Sequence, residues 1–203
     1  MEVRHRWVKL LVRRAVTIAS LTALALASAC GTEGGDINDD PNAGTVRDQF
    51  NTLMQRPSYE DMTERYKQMV QEVQDATVEA GGIPKWRQSK GGTPINGAGC
   101  GFDFPDIGAD GGTRQISGGV SEGAIPDERW PQVVDRVAQI AQRYGFDDHE
   151  MVQDKPGLHR VIFTDSYGGD FMLGTEVNTS MSISSGCFLL KQARQRGAPS
   201  EAE

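Results

Sequence analysis

The apolar residues of this chain change period partway along it. Tyr59, Met62, Tyr66, Met69, Val70, Val73, Ala76, Thr77 and Ala80 recur at steps of three and four, which places their side chains on one face of an α-helix. Phe171, Leu173, Thr175 and Val177 recur at steps of two, as do Met181 and Ile183, the pattern of antiparallel strands with one wet face. A chain that reads as helix first and alternating strand later belongs to the α+β class.

The punctuation agrees with that division. Val46, Phe50, Leu53 and Met54 form a short helical stripe that Pro57 ends. Ser58-Tyr-Glu-Asp61 resembles a capping box, with Asp in place of the preferred Glu. It opens a helix of about six turns that Gly81-Gly82 closes. A second long helix follows Ile125-Pro126-Asp127, with Asp127 as its expected N-cap, Trp130, Val133, Val134, Val137, Ala141 and Tyr144 as its apolar face, and Gly145 as its stop. Thr113–Val120 and Leu158–Asp165 read as strands, and Ser166-Tyr-Gly-Gly169 as the turn after the second. The expected arrangement is two-layer, with two long helices packed on one face of an antiparallel sheet in the order α-β-α-β-β-β. Between the first helix and the first strand, residues 91–119 hold ten glycines and no periodicity. That stretch reads as a long loop.

The N-terminus reads as an export signal. Arg4, Arg6, Lys9, Arg13 and Arg14 precede the apolar run Ala15–Ala27. The run is about 13–15 residues long, short of the roughly 20 needed to span a bilayer. Small residues, Ala27-Ser28-Ala29, lead into Cys30, as a lipid-modification site requires. Leu26 stands four places before the cysteine, where a bulky aliphatic three before is commoner. Arg13-Arg14 leaves open twin-arginine or ordinary secretion. The expected organisation is a signal peptide over 1–29, a flexible tether over 30–44 with lipid on Cys30, one domain over 45–195 and a disordered tail over 196–203. Gly, Asn, Asp and Pro dominate residues 31–44. A tether of that composition reaches roughly 20 Å from the membrane face.

Charge and cysteines narrow the function classes. Residues 1–29 carry five basic side chains and one acidic, so their removal takes the formal charge from −7 to −11. A domain so acidic is unsuited to nucleic acid or to a polybasic membrane contact. The expected membrane attachment is therefore through lipid alone. With Cys30 lipidated, Cys100 and Cys187 remain. An even pair in an oxidising compartment points to a disulfide, with two buried free thiols as the alternative.

One catalytic motif is present. Gly119-Val-Ser121-Glu-Gly123 matches G-x-S-x-G, the nucleophile elbow of serine hydrolases. Asp147 or Asp148 with His149, or Asp154 with His159, follow in the required order. The elbow needs strands before the serine and a helix directly after it. Here helix and glycine-rich chain precede, and Gly123-Ala-Ile-Pro126 delays the helix, so a turn at a strand end is the plainer reading. Asp147-Asp-His-Glu150 reads as a polar turn and His159 as a surface or strand-edge residue. Ser182, Ser184 and Ser185 read as the polar face of the last strand. Asp36, Asp39 and Asp40 read as solvated tether. Asp103, Asp106 and Asp110 do not match a calcium loop, and Gly97-Ala-Gly-Cys-Gly101 lacks the setting of a phosphate loop. No metal or cofactor is expected.

Taken together, the lipobox, Ser58-Tyr59-Glu60 opening a long helix, Trp86, Cys100 in a loop, a helix ending in Tyr144-Gly145, and a serine-rich strand running into Gly186-Cys187-Phe188-Leu189-Leu190 resemble the LppA-like lipoproteins of mycobacteria and related actinobacteria. The resemblance covers most of residues 45–195. It implies anchoring in the cell envelope and a paired Cys100–Cys187, and it implies no established catalytic activity. Two functional expectations follow. One is a membrane-anchored, non-catalytic module that binds an envelope protein or small ligand of unknown identity. The other is a small envelope hydrolase using Ser121.

Overall fold

The computed structural model describes residues 44–87 and 95–200. Cys30, the signal segment and the tether up to residue 43 lie outside the described residues. Helix α1 (Val46–Met54) starts from a capping box, in which Thr45 Oγ1 accepts from the Asp48 N–H and the Asp48 carboxylate accepts from the Thr45 N–H. Helix α2 (Tyr59–Gly81) starts at Ser58, whose hydroxyl accepts from the Asp61 N–H, and ends on Gly82 in the left-handed conformation. Among the described residues no helix is long and apolar enough to cross a membrane.

The strands are β1 (Ile95–Ala98), β2 (Gly111–Ser121), β3 (Phe146–Lys155), β4 (Leu158–Asp165), β5 (Asp170–Thr175), β6 (Thr179–Ser184) and β7 (Phe188–Leu189). Helix α3 (Trp130–Arg143) lies between β2 and β3, and α4 (Lys191–Arg196) follows β7. The sheet order is β1-β2-β6-β5-β4-β3, antiparallel throughout, with β7 paired to the start of β2. The α+β class is as expected, but the element order is richer than α-β-α-β-β-β. Arg87 forms an isolated antiparallel bridge with Val120.

Register explains the core. Ile116, Ile183, Phe171 and Phe163 face one another across four strands, and Met181, Leu173 and Val161 form a parallel row. Both rows are buried in one cluster with Tyr66, Met69 and Val73 of α2 and Val133, Val137 and Ala141 of α3. A second cluster joins Phe50 and Leu53 of α1 to Ile107, Leu189 and Ala193. The Cys100–Cys187 disulfide runs through it, linking positions 87 residues apart.

Four expectations need correction. Part of the glycine-rich loop is strand, β1 and the start of β2, and several of its glycines answer to crowding. A Cβ on Gly112 would lie 2.7 Å from the Ala98 carbonyl oxygen, and one on Gly118 would lie 2.1 Å from Met181 Cγ. The polar turn at Asp147–Glu150 belongs to β3, an edge strand whose side chains are mostly exposed, so it shows no alternation. Helix α3 starts three residues after Asp127 without a side-chain cap, because the Asp127 carboxylate is engaged elsewhere. Val177 is 78% exposed between β5 and β6 instead of facing the core. At the C-terminus, Arg196 pairs with Asp110 at 2.6 Å and the Ser200 N–H donates to the same carboxylate at 2.6 Å.

Candidate functional site

A cleft of about 550 Å³ opens beside α2. One wall is α2, through Asp61, Met62, Arg65 and Gln68; the others are Tyr144, Gly145 and Asp147 at the α3–β3 junction and Asp165-Ser166-Tyr167 at the β4–β5 turn. That turn is built around one carboxylate. Asp165 Oδ1 accepts from the N–H groups of Tyr167 (2.9 Å) and Gly169 (2.7 Å), and Oδ2 accepts from the Tyr66 hydroxyl (2.7 Å). Burial and the adjacent Asp165 charge push the Tyr66 phenol well above its ordinary value, so it serves as a fixed donor. Arg56 closes the turn from behind. Its guanidinium donates to the carbonyls of Cys187 (2.9 Å) and Tyr167 (3.2 Å) and lies 4.9 Å from the Phe104 ring centroid.

The opposite rim is Tyr144. Its hydroxyl donates to Glu72 at 2.6 Å, and burial together with Glu72 pushes its pKa up to about 12. Arg65 lies over its ring at 5.3 Å and donates to the Arg143 carbonyl at 2.7 Å. Asp61 is engaged by Ser58 and Lys191. Asp147 makes no hydrogen bond or ion pair with the described residues and is free to meet a ligand. The cleft thus offers aromatic faces, a guanidinium and one uncommitted carboxylate. Its lining holds neither a histidine nor a cysteine.

The residues named from sequence lie elsewhere. Ser121 ends β2 at 0% exposure, and its hydroxyl donates to the Pro84 carbonyl at 2.6 Å. His149 is on edge strand β3, its ring tilted against Phe163 at 5.3 Å. Asp154 and His159 do come together, as register partners on β3 and β4 bonded at 2.7 Å. His159 is not at the surface, however. It is buried, stacks on Trp130 at 5.2 Å, and its other ring nitrogen meets Asp127 at 2.9 Å. That bond, with the Gly157 N–H, holds the Asp127 carboxyl below the usual carboxylate range. Of the three serines, Ser182 and Ser184 are half-buried and Ser185 is buried, accepting from the Arg114 N–H and donating to the Gly186 carbonyl. Asp106 is bound by Gln49. Among the described residues no group of three or more His, Cys, Asp or Glu side chains could hold a metal ion. Sequence reading missed Arg56, Tyr66, Asp127 and Asp165 as organising residues. The Asp-x-x-Gly-Gly turn pattern at 165–169 was the available signal for Asp165.

Comparison with known proteins gives a family from the sequence and a similar fold from solved structures. The profile of the LppA family, described as a lipoprotein confined to pathogenic Mycobacterium, matches residues 34–191. A search of curated proteins finds no match. Among solved structures, the crystal structure of LppA from Mycobacterium tuberculosis is similar in fold, with a TM-score of 0.52 at 18% identity. The match covers 76% of this chain and 92% of that one. The family profile spans well over half of the sequence, from within the expected tether to the first residue of α4, and the chain belongs to the LppA family.

Proposed function

We propose that this protein is a cell-envelope lipoprotein, anchored to the membrane by lipid on Cys30, whose domain binds a ligand or partner without catalysis. Membership of a lipoprotein family supports the address, together with the basic start, short apolar run and small residues before Cys30. The observation that carries the binding reading is the cleft between α2 and the β4–β5 turn. Its walls are held in place by Tyr66, Asp165 and Arg56, and its free groups are suited to holding a molecule and not to attacking one. The hydrolase reading gains nothing from the geometry, since the Ser121 hydroxyl is buried and spent on a backbone carbonyl.

A photo-cross-linking residue at Gln68, in the full chain expressed in a mycobacterial envelope, tests the binding reading. Adducts at position 68 that are missing from position Ser180, on β6, are the expected result. The same adducts at both positions, or none at 68, would remove the cleft from consideration. An active-site serine probe tests the alternative. No labelling is expected, and labelling that Ser121→Ala abolishes would restore the hydrolase.

A further inference from the structure

His159 is the buried titratable group that neither reading of function uses. Its side chain is 6% exposed, while Asp127 and Asp154 beside it are 50% and 64% exposed. From the chain entering α3 comes Asp127, from β3 comes Asp154, from α3 comes the Trp130 ring, and from β5 its register partner is Thr175. The two carboxylates are the charged groups bonded to the ring. Thr175 is occupied with Thr179 and with the N–H of Ile125. Asp127 Oδ1 also accepts from the Gly157 N–H at the tip of the β3–β4 hairpin, at 2.9 Å. One imidazole therefore joins three parts of the fold: the entry to α3, strand β3 and the hairpin tip.

We propose that His159 is a proton-operated clasp that fastens the β3–β4 hairpin tip to the entry of α3. An ionised carboxylate only accepts hydrogen bonds, so both contacts are made together only by the doubly protonated ring. When one ring proton passes to solvent, one nitrogen becomes an acceptor facing a carboxylate. One charge-assisted bond is then replaced by lone-pair repulsion, and the stack on Trp130 loses its cation. The sign follows from these bonds. The clasp holds while the ring carries both protons and slackens when rising pH removes one. At much lower pH the carboxylates take up protons and the clasp is lost again.

The Gly157 amide reports on the clasp directly. In the intact protein its hydrogen-exchange protection, corrected for intrinsic base catalysis, should fall about tenfold along a series run from pH 5 upward until the ring is neutral by NMR, the effect of roughly one charge-assisted hydrogen bond. In Asp154→Asn the side-chain amide can donate to the bare Nδ1 of a neutral ring while Nε2–H still donates to Asp127, so the fall should be less than about threefold. His149→Gln, which alters the exposed histidine on β3, should keep the tenfold fall. A flat profile in the intact protein, an equal fall in Asp154→Asn, or loss of the fall in His149→Gln would each overturn the clasp. Asp154→Asn keeps the imidazole, its Trp130 stack and the Gly157 bond to Asp127, so the test does not depend on a histidine replacement folding.

Discussion

Gly186 has no room for a side chain. A Cβ there would sit 1.9 Å from the Tyr167 carbonyl oxygen, which accepts from Arg56. Backbone cannot swing aside as the end of a side chain can. Gly186→Ala should therefore cost about 3 kcal/mol, the upper end of ordinary overpacking, read as a lowered denaturant midpoint. Gly99→Ala is its control. An added Cβ there meets nothing within 4 Å, and a change within about 0.5 kcal/mol is expected. Asp110 gives a pH prediction at the same scale. Burial disfavours its charge, but the Ser200 N–H and Arg196 outweigh burial and hold its pKa below 3.8. A depressed carboxylate adds stability that is complete above its unfolded value and lost as pH falls through the folded one. Acid should thus loosen the C-terminal segment below about pH 3.8. Proteolysis by pepsin near Ser200 at pH 3 and pH 5 would show it, and Asp110→Asn should be cut equally at both.

At the scale of elements, the disulfide is the strongest single constraint on the second cluster. Closing a loop between positions 87 residues apart stabilises the fold by about 4–5 kcal/mol in the chain-entropy model. Replacing both Cys100 and Cys187 by Ala should lower the unfolding free energy by that order in urea, with α1 and α4 losing exchange protection before α2 and β4 do. Uniform loss across all four would mean that the second cluster is not a separate unit. Ser58→Ala should cost about 1 kcal/mol by uncapping α2. The three longer helices were legible because each lays a continuous apolar stripe on the core, as Met62, Tyr66, Met69 and Val73 do. Strand β2 was legible from its later residues, Thr113–Val120, but its start and β1 were not, because tight strand packing put glycine at Gly97 and Gly112 and erased the alternation. Strand β3 was not, because only Phe146 of its ten residues is buried and an edge strand need not alternate. The site was less legible than the fold. Asp165 and Tyr66 meet across 99 residues, a contact made by tertiary packing that no local pattern encodes. Asp127 was read as a cap because Asp before a helix usually is one, yet here a buried imidazole and the Gly157 N–H were the stronger claimants.

At the scale of the whole molecule, address and fold are separable. Cys30→Ala should leave the domain folded but shift it from the membrane to the soluble fraction as unacylated precursor. A processed, acylated form in the membrane fraction would refute lipidation at Cys30. The acidic domain should not bind anionic vesicles once freed from its anchor, which sedimentation with phosphatidylglycerol vesicles at low salt would check. The two ends of the described chain meet on one short stretch, the 3-10 segment Pro105–Asp110. Gln49 ties the Gly44 carbonyl to Asp106, and Asp110 holds Ser200. That arrangement sets how the molecule bears load. If the envelope tugs on a domain tethered at its N-terminus, tension enters at Thr45 and meets α1 first. The path then runs through Phe50 and Leu53 into the segment stapled by Cys100–Cys187. Helix α1 can therefore peel away first, like a strain relief on a cable, and only then does tension pass through Pro57 to α2, the wall of the cleft.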